Sequence, residues 1–391
     1  MPALHIDIKD VMIDWIIQKA QYEHMGNSIL DLLFEWKSGK KKPTFKKIEE
    51  VSRRTHIPFG YFFLNSPPEE NISLVDFRTI DSEHTQNPSR NLIDTINAMQ
   101  RVQDWMANYY QENGYDPLPY IGCCNLKENH KAIAEDIRSK LGITKEWFKL
   151  CKDSSDAFRF LRSRISALGI LVMKNGIVGN NTSRKLNLNE FRAFTLINEY
   201  APLIFINSND TDNGKLFSLL HELAHVWLGE NSLYNEPYAS QENISRLEQI
   251  CNSIAAEILA PDKLFIEQWK AYHMHNLYTL YTLGEISKHF RCSRFVIIRK
   301  ALENGFISRE EFGRTLLVLQ GEYQKWQQDK KKKGDGGGNF YKTLATRWDR
   351  TFINALDEMT RSGSTQYTEA YRLTGTQSSS FSKLIQEINN S

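Results

Sequence analysis

The sequence lacks the features that direct a chain into or across a membrane. Residues 1–7 have neither a basic start nor a long apolar core, so no signal peptide is predicted. No apolar run approaches the roughly 20 residues that a membrane-spanning helix needs. We therefore expect a cytoplasmic protein without a membrane partner.

Cysteine is scarce, and its spacing argues against two kinds of site. The five cysteines are an odd number and form no Cys-x-x-Cys pair, so neither a disulfide framework nor a cysteine-based zinc site is predicted. We expect the adjacent Cys123 and Cys124 to be buried small side chains. An excess of charge is also missing, because the formal net charge of +2 gives no overall attraction to nucleic acid. At 391 residues, the chain is long enough for two or three domains.

What the sequence does contain is a His-Glu-x-x-His motif at residues 221–225. On a helix, positions i and i+4 lie on one face, so the imidazoles of His221 and His225 can reach one metal ion. Glu222 lies at the flank of that face, where it can take a proton from an attacking water molecule. The motif therefore predicts a hydrolytic metal site, provided that the segment is helical.

The residues around the motif predict that helix. Apolar side chains recur with helical period on the face roughly opposite the two histidines; they are Leu216, Leu219, Leu220, Leu223 and Trp227. Asn213 and Gly214 are start signals, and Gly229 is a stop signal. The apolar run at 201–207 predicts a buried strand directly before the helix.

A zinc site needs a third protein ligand, and a second predicted helix that ends before Pro261 supplies a candidate. Glu248 shares one face of this helix with an amide and with small or apolar residues, namely Asn252, Ala255 and Leu259. A carboxylate in such surroundings is poorly placed for water and well placed for a buried cation. We predict Glu248 as the third ligand. Glu242, in the loop before the helix, is the weaker alternative, and Glu257 is expected on the opposite side, at the surface or beside the ligands.

These residues carry a resemblance to a known family. The segments 217–229 and 248–261 resemble the metal motifs of the ImmA/IrrE family of metallo-endopeptidases. Upstream, residues 43–63, 67–69 and 76–79 are similar to the leader of its longer members, which carry a helix-turn-helix domain. The resemblance covers most of residues 20 to 315. It departs from the family at two positions that do not touch the chemistry, Cys251 and Ile254.

The resemblance implies a zinc-dependent, site-specific endopeptidase, for which manganese is a possible alternative metal. Members cleave a partner DNA-binding repressor or antitoxin and so switch on stress, phage or mobile-element genes. His221, His225 and Glu248 then bind the metal, and Glu222 is the catalytic residue. The alternative is a DNA- or protein-binding regulator, or a toxin–antitoxin component, with a structural or vestigial metal site. A third reading is an amidase that acts on a non-protein substrate.

The predicted fold class is α+β and mostly helical. A minimal zincin-like core of about three strands, the motif helix and the third-ligand helix is flanked by helical, helix-turn-helix-like domains. The three strands are expected at 169–173, 191–197 and 202–206. The predicted divisions are an N-terminal helix-turn-helix-like domain (1–70), a helical connecting region (71–160), the peptidase core (161–265), a helical helix-turn-helix-like region (266–326), a Lys/Gly-rich linker (327–339) and a small helical appendage (340–391).

Two further questions stay open on the sequence. The helix-turn-helix candidates, near residues 36–64 and 282–302, show no clear base-reading side chains, so DNA contact and a packing role are both possible. The residue that stabilises the oxyanion is also open among four candidates; these are Tyr234, Tyr238, His273 and His275.

Overall fold

The computed structural model divides the chain into two compact units, which are Met1–Asp76 with Glu83–Asp94, and Phe77–Ser82 with Thr95–Ser391. The residues it describes are 6–22, 26–68, 88–235, 245–273, 279–333 and 339–390. These residues form sixteen α-helices and six strands, which confirms the α+β, mostly helical fold class. Within them, no helix combines the length and the apolar character that a membrane span requires.

The first unit is a small helical domain. Its elements are α1 (Asp10–Tyr22), α2 (Asn27–Lys37), α3 (Phe45–Thr55) and a 3₁₀ turn (Phe59–Phe63). Each of the four contributes fully buried apolar side chains to one core, including Met12, Leu33, Val51 and Phe62. The helices predicted around the basic turn are therefore present, and their role in DNA contact stays a prediction.

The second unit is built on a four-stranded sheet in the order β1-β5-β4-β6. The strands β1 and β5 are parallel, and the other pairs are antiparallel. A separate hairpin joins β2 to β3. The strand bounds are β1 (Leu171–Asn175), β2 (Ile177–Val178), β3 (Asn181–Lys185), β4 (Ala193–Leu196), β5 (Leu203–Asn207) and β6 (Ser232–Tyr234). The three predicted strands correspond to β1, β4 and β5, each within two residues at either end.

The remaining elements of the second unit are helices, apart from a 3₁₀ turn at Trp147–Leu150. Helix α4 begins in the first unit and continues into the second. The bounds are α4 (Arg90–Glu112), α5 (His130–Leu141), α6 (Ser154–Ala167), α7 (Asp212–Leu228), α8 (Arg246–Leu259), α9 (Asp262–His273), α10 (Thr279–Phe290), α11 (Arg294–Glu303), α12 (Arg309–Lys333), α13 (Phe340–Arg347), α14 (Arg350–Arg361), α15 (Tyr367–Thr374) and α16 (Ser378–Asn389).

Helix α7 carries the His-Glu-x-x-His motif through the middle of the core. The side chain of Thr211 caps its start by accepting a hydrogen bond from the Gly214 N–H, at 2.9 Å. Its end is at Gly229, whose φ of +71° is the left-handed conformation that glycine adopts readily. A Cβ at Gly229 would also lie 2.8 Å from the Cα of Gly122. Both the backbone conformation and this close approach therefore require glycine at the end of the helix.

Helix α7 is buried on both faces over its motif residues. Its predicted apolar stripe is buried, but the opposite face is buried as well, and both motif histidines are 0% exposed. A helix that is covered on every side belongs to the interior of a domain. The motif therefore lies inside the core, beside a cavity.

Two expectations differ from the structure, those for the linker and for the cysteine pair. Residues 327–333 of the predicted linker are helical, since α12 continues to Lys333, and lysine and glutamine are good helix formers; residues 334–338 lie outside the described part of the chain. The helices of the predicted C-terminal appendage are present and lie in the same compact unit as the peptidase core. Cys123 is exposed and Cys124 is half-buried, so that pair was wrongly expected to be buried.

Two side chains attach the C-terminal helices to the outer edge of the sheet. The guanidinium of Arg162 donates to the Val172 carbonyl, at 2.8 and 3.1 Å, and to the Trp348 carbonyl. The carboxylate of Asp349 accepts the Val172 N–H at 3.1 Å, the Ser166 hydroxyl at 2.9 Å and the N–H of Thr351 at 2.9 Å. The edge strand β1 is thereby covered, which removes an open sheet edge.

Replacement of Asp349 by alanine should therefore destabilise the second unit. The substitution leaves the buried Val172 N–H without an acceptor and removes the cap of α14, so we expect a loss of about 2–4 kcal/mol in the free energy of unfolding. Denaturant titration measures this quantity. The control is Asp357→Ala on α14, which removes only a pair with the exposed Arg361 and should cost less than about 1 kcal/mol. Equal losses in the two variants would contradict the role of Asp349.

Candidate metal centre

Helices α7 and α8 lie side by side and bring the three predicted ligands together. The Nε2 of His221 is 3.0 Å from one carboxylate oxygen of Glu248, and the Nε2 of His225 is 3.3 Å from the other. The two Nε2 atoms are 3.2 Å apart. Within the described residues, these three side chains form a buried cluster that could hold a metal ion.

The donor atoms lie close enough together to hold one metal ion. Zinc lies about 2.0–2.1 Å from nitrogen and oxygen ligands, so two ligands at a tetrahedral angle are about 3.3–3.4 Å apart. The two Nε2 atoms are 3.2 Å apart, close to this value, and each lies 3.0 or 3.3 Å from a different oxygen of Glu248. One donor atom from each of the three residues lies within 4.8 Å of the others. The donor set and its spacing therefore fit a bound metal.

The local sequence of α8 explains why Glu248 faces the histidines. The Ser245 side chain caps the helix by accepting the Glu248 N–H, at 3.3 Å, which fixes Glu248 in the first turn. The small buried residues Cys251 and Ala255 let α8 approach α7 closely. Glu242, the alternative ligand, lies outside the described residues. Glu257 is on the far side as expected, but it is buried and paired with Lys300 at 2.9 Å, so it is not a surface group.

Asn252 orients one of the imidazoles, a role that the sequence did not assign to it. Its side-chain oxygen is 2.9 Å from the Nδ1 of His221, so Nδ1–H donates to it and Nε2 is left available to a metal. Asn252 follows Glu248 by one helical turn, and this shared face was the available signal. The ring of Tyr234 packs on the other side, with its centroid 4.0 Å from that of His221.

We expect Asn252→Ala to weaken metal binding by about 10- to 100-fold, because partners of this kind fix the ring orientation and basicity of a histidine ligand. A competition titration against a chelator of known affinity measures the change. Ser253→Ala is the matched control, since that hydroxyl donates only to the Gln249 carbonyl of its own helix. Unchanged metal affinity in Asn252→Ala would show that the hydrogen bond to His221 has no such role.

Glu222 is fully buried and is held by two strands of the sheet. One carboxylate oxygen accepts hydrogen bonds from Thr195 on β4, at 2.6 Å, and from Ser232 on β6. The other oxygen is buried without a hydrogen-bond partner among the described residues. A buried acceptor of this kind needs a donor, and a water molecule at the metal centre is one that fits. Thr195 and Ser232 were not predicted, because residues from separate strands carry no common sequence signal.

The two carboxylates of the centre differ in pKa because their surroundings differ. Burial raises the pKa of Glu222 to about 7, against the opposing effects of His225 and the two hydroxyls. A carboxylate with a pKa near neutrality can both accept and release a proton. Burial also acts to raise the pKa of Glu248, but the adjacent His221 and His225 outweigh it and hold that pKa well below its usual range. The surroundings therefore favour the ionised form of Glu248 and leave both protonation states of Glu222 accessible near neutral pH.

Cys251 lies close to both carboxylates but does not join the ligand set. Burial, together with the charges of Glu248 and Glu222, raises the pKa of its thiol well above the usual value. The thiolate is the form that binds metals, and it is disfavoured here. The departure from the family's usual alanine is consistent with a small neutral side chain between the two helices.

A cavity of about 360 Å³ lies beside the centre. Both motif helices and β6 form one wall, and helices α10, α11 and α12 form the other. Its lining includes Phe217, Tyr234, Asn252, Arg294, Tyr323 and Trp326. Its size falls in the usual range of ligand sites, and its walls combine aromatic rings with a few charged groups. It is therefore large enough to receive side chains of a bound peptide.

Helices α10 and α11 have the predicted arrangement, two helices across the turn 291–293. Helix α11 buries Ile297 and Ala301, pairs Lys300 with Glu257, and presents Arg294 to the cavity. These contacts favour a packing role for residues 282–302 over contact with DNA. Of the oxyanion candidates, Tyr234 lies at the centre, Tyr238 and His275 lie outside the described residues, and His273 ends α9 with a side chain that is not described.

The sequence comparisons agree with this geometry. Residues 165–302 match the family model Peptidase_M78, described as the IrrE N-terminal-like domain, and this segment contains the complete centre. The resemblance to the ImmA/IrrE family is confirmed over this segment, which places it among zincin-like metallopeptidases. Residues 348–387 match a second model, described as a domain of unknown function, DUF8813. No curated protein and no solved structure matches the chain.

Proposed function

We propose that the chain is a zinc-dependent, site-specific endopeptidase that cleaves a partner DNA-binding repressor or antitoxin. The observation that carries the proposal is the convergence of His221, His225 and Glu248 at 3.0–3.3 Å, with the buried carboxylate of Glu222 alongside. The repressor as substrate follows from the family resemblance, and it requires the chain to act in the cytoplasm.

In this proposal, His221, His225 and Glu248 hold the metal, and Asn252 fixes the orientation of His221. A zinc ion bound there supplies Lewis acidity, which acidifies a water molecule and polarises the scissile carbonyl. Glu222 takes the proton of the water and passes it to the leaving amine, so it acts first as base and then as acid. Thr195 and Ser232 hold the carboxylate in place during both transfers.

The surroundings of the centre suit a peptide substrate. The neighbouring cavity receives a side chain next to the scissile bond, and its aromatic walls bury that side chain away from water. Tyr234 contacts both the cavity and the His221 ring, which makes it our candidate for the group that assists in stabilising the oxyanion.

The test pairs the purified chain with the product of the neighbouring gene, with and without a chelator. Fragments that appear only without chelator, and that return when zinc or manganese is restored, support the protease. A stable complex or a DNA shift without fragments under any metal condition would instead support the regulator with a vestigial site. Cleavage that is indifferent to chelator would contradict the metal-dependent mechanism.

A further inference from the structure

Helices α15 and α16 form a helix-turn-helix that the sequence patterns had not indicated. The turn between them has three residues, Gly375, Thr376 and Gln377. Gly375 has a φ of +63°, and its N–H donates to the Tyr371 carbonyl, which ends α15. Two helices across a three-residue turn with glycine have the layout of a DNA-binding helix-turn-helix.

The helix pair shares one core with α14, so its geometry is fixed. The buried residues of the pair are Ala370, Leu373, Phe381, Leu384 and Ile388, and α14 adds Phe352, Ile353 and Leu356. Within the turn, Gly375 and Gln377 are exposed and Thr376 is buried, and the Thr376 hydroxyl hydrogen-bonds to that of Thr374 at 2.7 Å. In the peptidase core, Asn180 of the β2–β3 turn donates to the Gly375 carbonyl at 2.7 Å. The pair is therefore a rigid part of the second unit.

The outer face of α16 consists of hydrogen-bonding side chains. Its exposed residues follow a helical stripe, Ser378, Ser379, Ser382, Gln386 and Asn389, and Lys383 lies at its flank. Serine, glutamine and asparagine contact base edges, and lysine contacts phosphates, in DNA complexes. The stripe has the composition of a base-reading surface.

Helix stability does not explain these serines. Serine competes with the backbone for hydrogen bonds and is a poor residue inside a helix. Ser380 has a structural role, because its hydroxyl accepts the Gln377 N–H at 2.8 Å and so caps α16. The Ser382 hydroxyl donates to the Ser378 carbonyl of its own helix at 3.3 Å, and a solvated helix face would normally carry glutamate, lysine or arginine at positions such as 379 and 382.

We propose that α15 and α16 bind double-stranded DNA, with α16 in the major groove. The exposed cations Arg350, Arg372 and Lys383 lie on the same three helices and can contact the phosphates. Arg372 pairs with Glu369 at the surface, a weak interaction that a phosphate can replace. The proposal assigns DNA binding to the segment that matches DUF8813, and it is independent of the peptidase activity.

The test uses the full metal-loaded chain and a random 20-base-pair duplex library. We expect selection to enrich one sequence motif. Ser382→Ala combined with Gln386→Ala should weaken binding to the enriched duplex by at least about tenfold, while binding to a scrambled duplex changes little. Lys383→Glu should weaken both and reduce the salt dependence by about one ion. All three positions are exposed, and circular dichroism verifies that each variant is folded.

Lys140→Glu on α5 is the matched control, because it makes the same change of charge at an exposed position away from this domain, and it should bind as the unchanged chain does. The proposal is overturned if no motif is enriched, or if the α16 double variant selects the same motif with undiminished affinity. It is also overturned if the α16 variants lose only the association with the partner protein, since α16 is then a protein-docking surface.

Discussion

Glu222→Gln abolishes cleavage and leaves metal binding intact; this is the largest single effect that we expect. Glutamine has nearly the same shape and can still accept hydrogen bonds from Thr195 and Ser232 through its amide oxygen, so the fold is preserved. It cannot take up the proton of the water, and a positioned base contributes about 10²–10⁴-fold to the rate. Metal content by elemental analysis and fragment formation by mass spectrometry measure the two properties separately.

The matched control is Glu230→Gln, an exposed position just beyond the end of α7. It should retain both metal and activity. Normal cleavage by Glu222→Gln would remove Glu222 from the mechanism, and loss of metal in that variant would show that the carboxylate has a structural role instead.

Glu248→Ala removes the third ligand, and we expect a loss of metal affinity greater than the about 10–100-fold that a lost ligand-orienting partner causes. The two histidines remain, but they lose the one negative charge in the donor set, which lies 3.0–3.3 Å from both Nε2 atoms. Chelator competition measures the affinity, and cleavage should fall in parallel at limiting metal.

Glu242→Ala is a second test of the third-ligand assignment, because Glu242 is the alternative candidate from the sequence. It should bind metal as the unchanged chain does. The reverse outcome, with metal lost in Glu242→Ala and kept in Glu248→Ala, would transfer the third-ligand role to Glu242.

The metal ligands could be predicted from the sequence because each lies on a helix whose period fixes its direction. His221 and His225 share a face by their spacing of four, and Glu248 stands out as a carboxylate among small residues. The burial of the whole of α7 could not be predicted, because its apolar stripe looks the same whether the second face meets a cleft or more protein. That face is covered by β6 and α8, and the residues of α7 alone do not indicate that these later elements fold back on it.

Residues that act through tertiary contacts could not be predicted from local patterns. Thr195 and Ser232 lie 37 positions apart and meet only because β4 pairs with β6. The outer wall of the cavity comes from α10 to α12, beyond the motif helices. The composition of residues 327–333 suits a solvated linker as well as a helix. Lysine is a good helix former, so these residues continue α12 once that helix has begun.

The most direct test of the central claim compares new protein N-termini in a host-cell lysate treated with the metal-free chain, the zinc-restored chain, or zinc-restored Glu222→Gln. We predict one or a few internal cuts, located in a DNA-binding protein, that rise to a plateau at one zinc ion per chain and are absent with Glu222→Gln. No new N-termini at any zinc-to-chain ratio, or the same cuts with Glu222→Gln, would contradict the account.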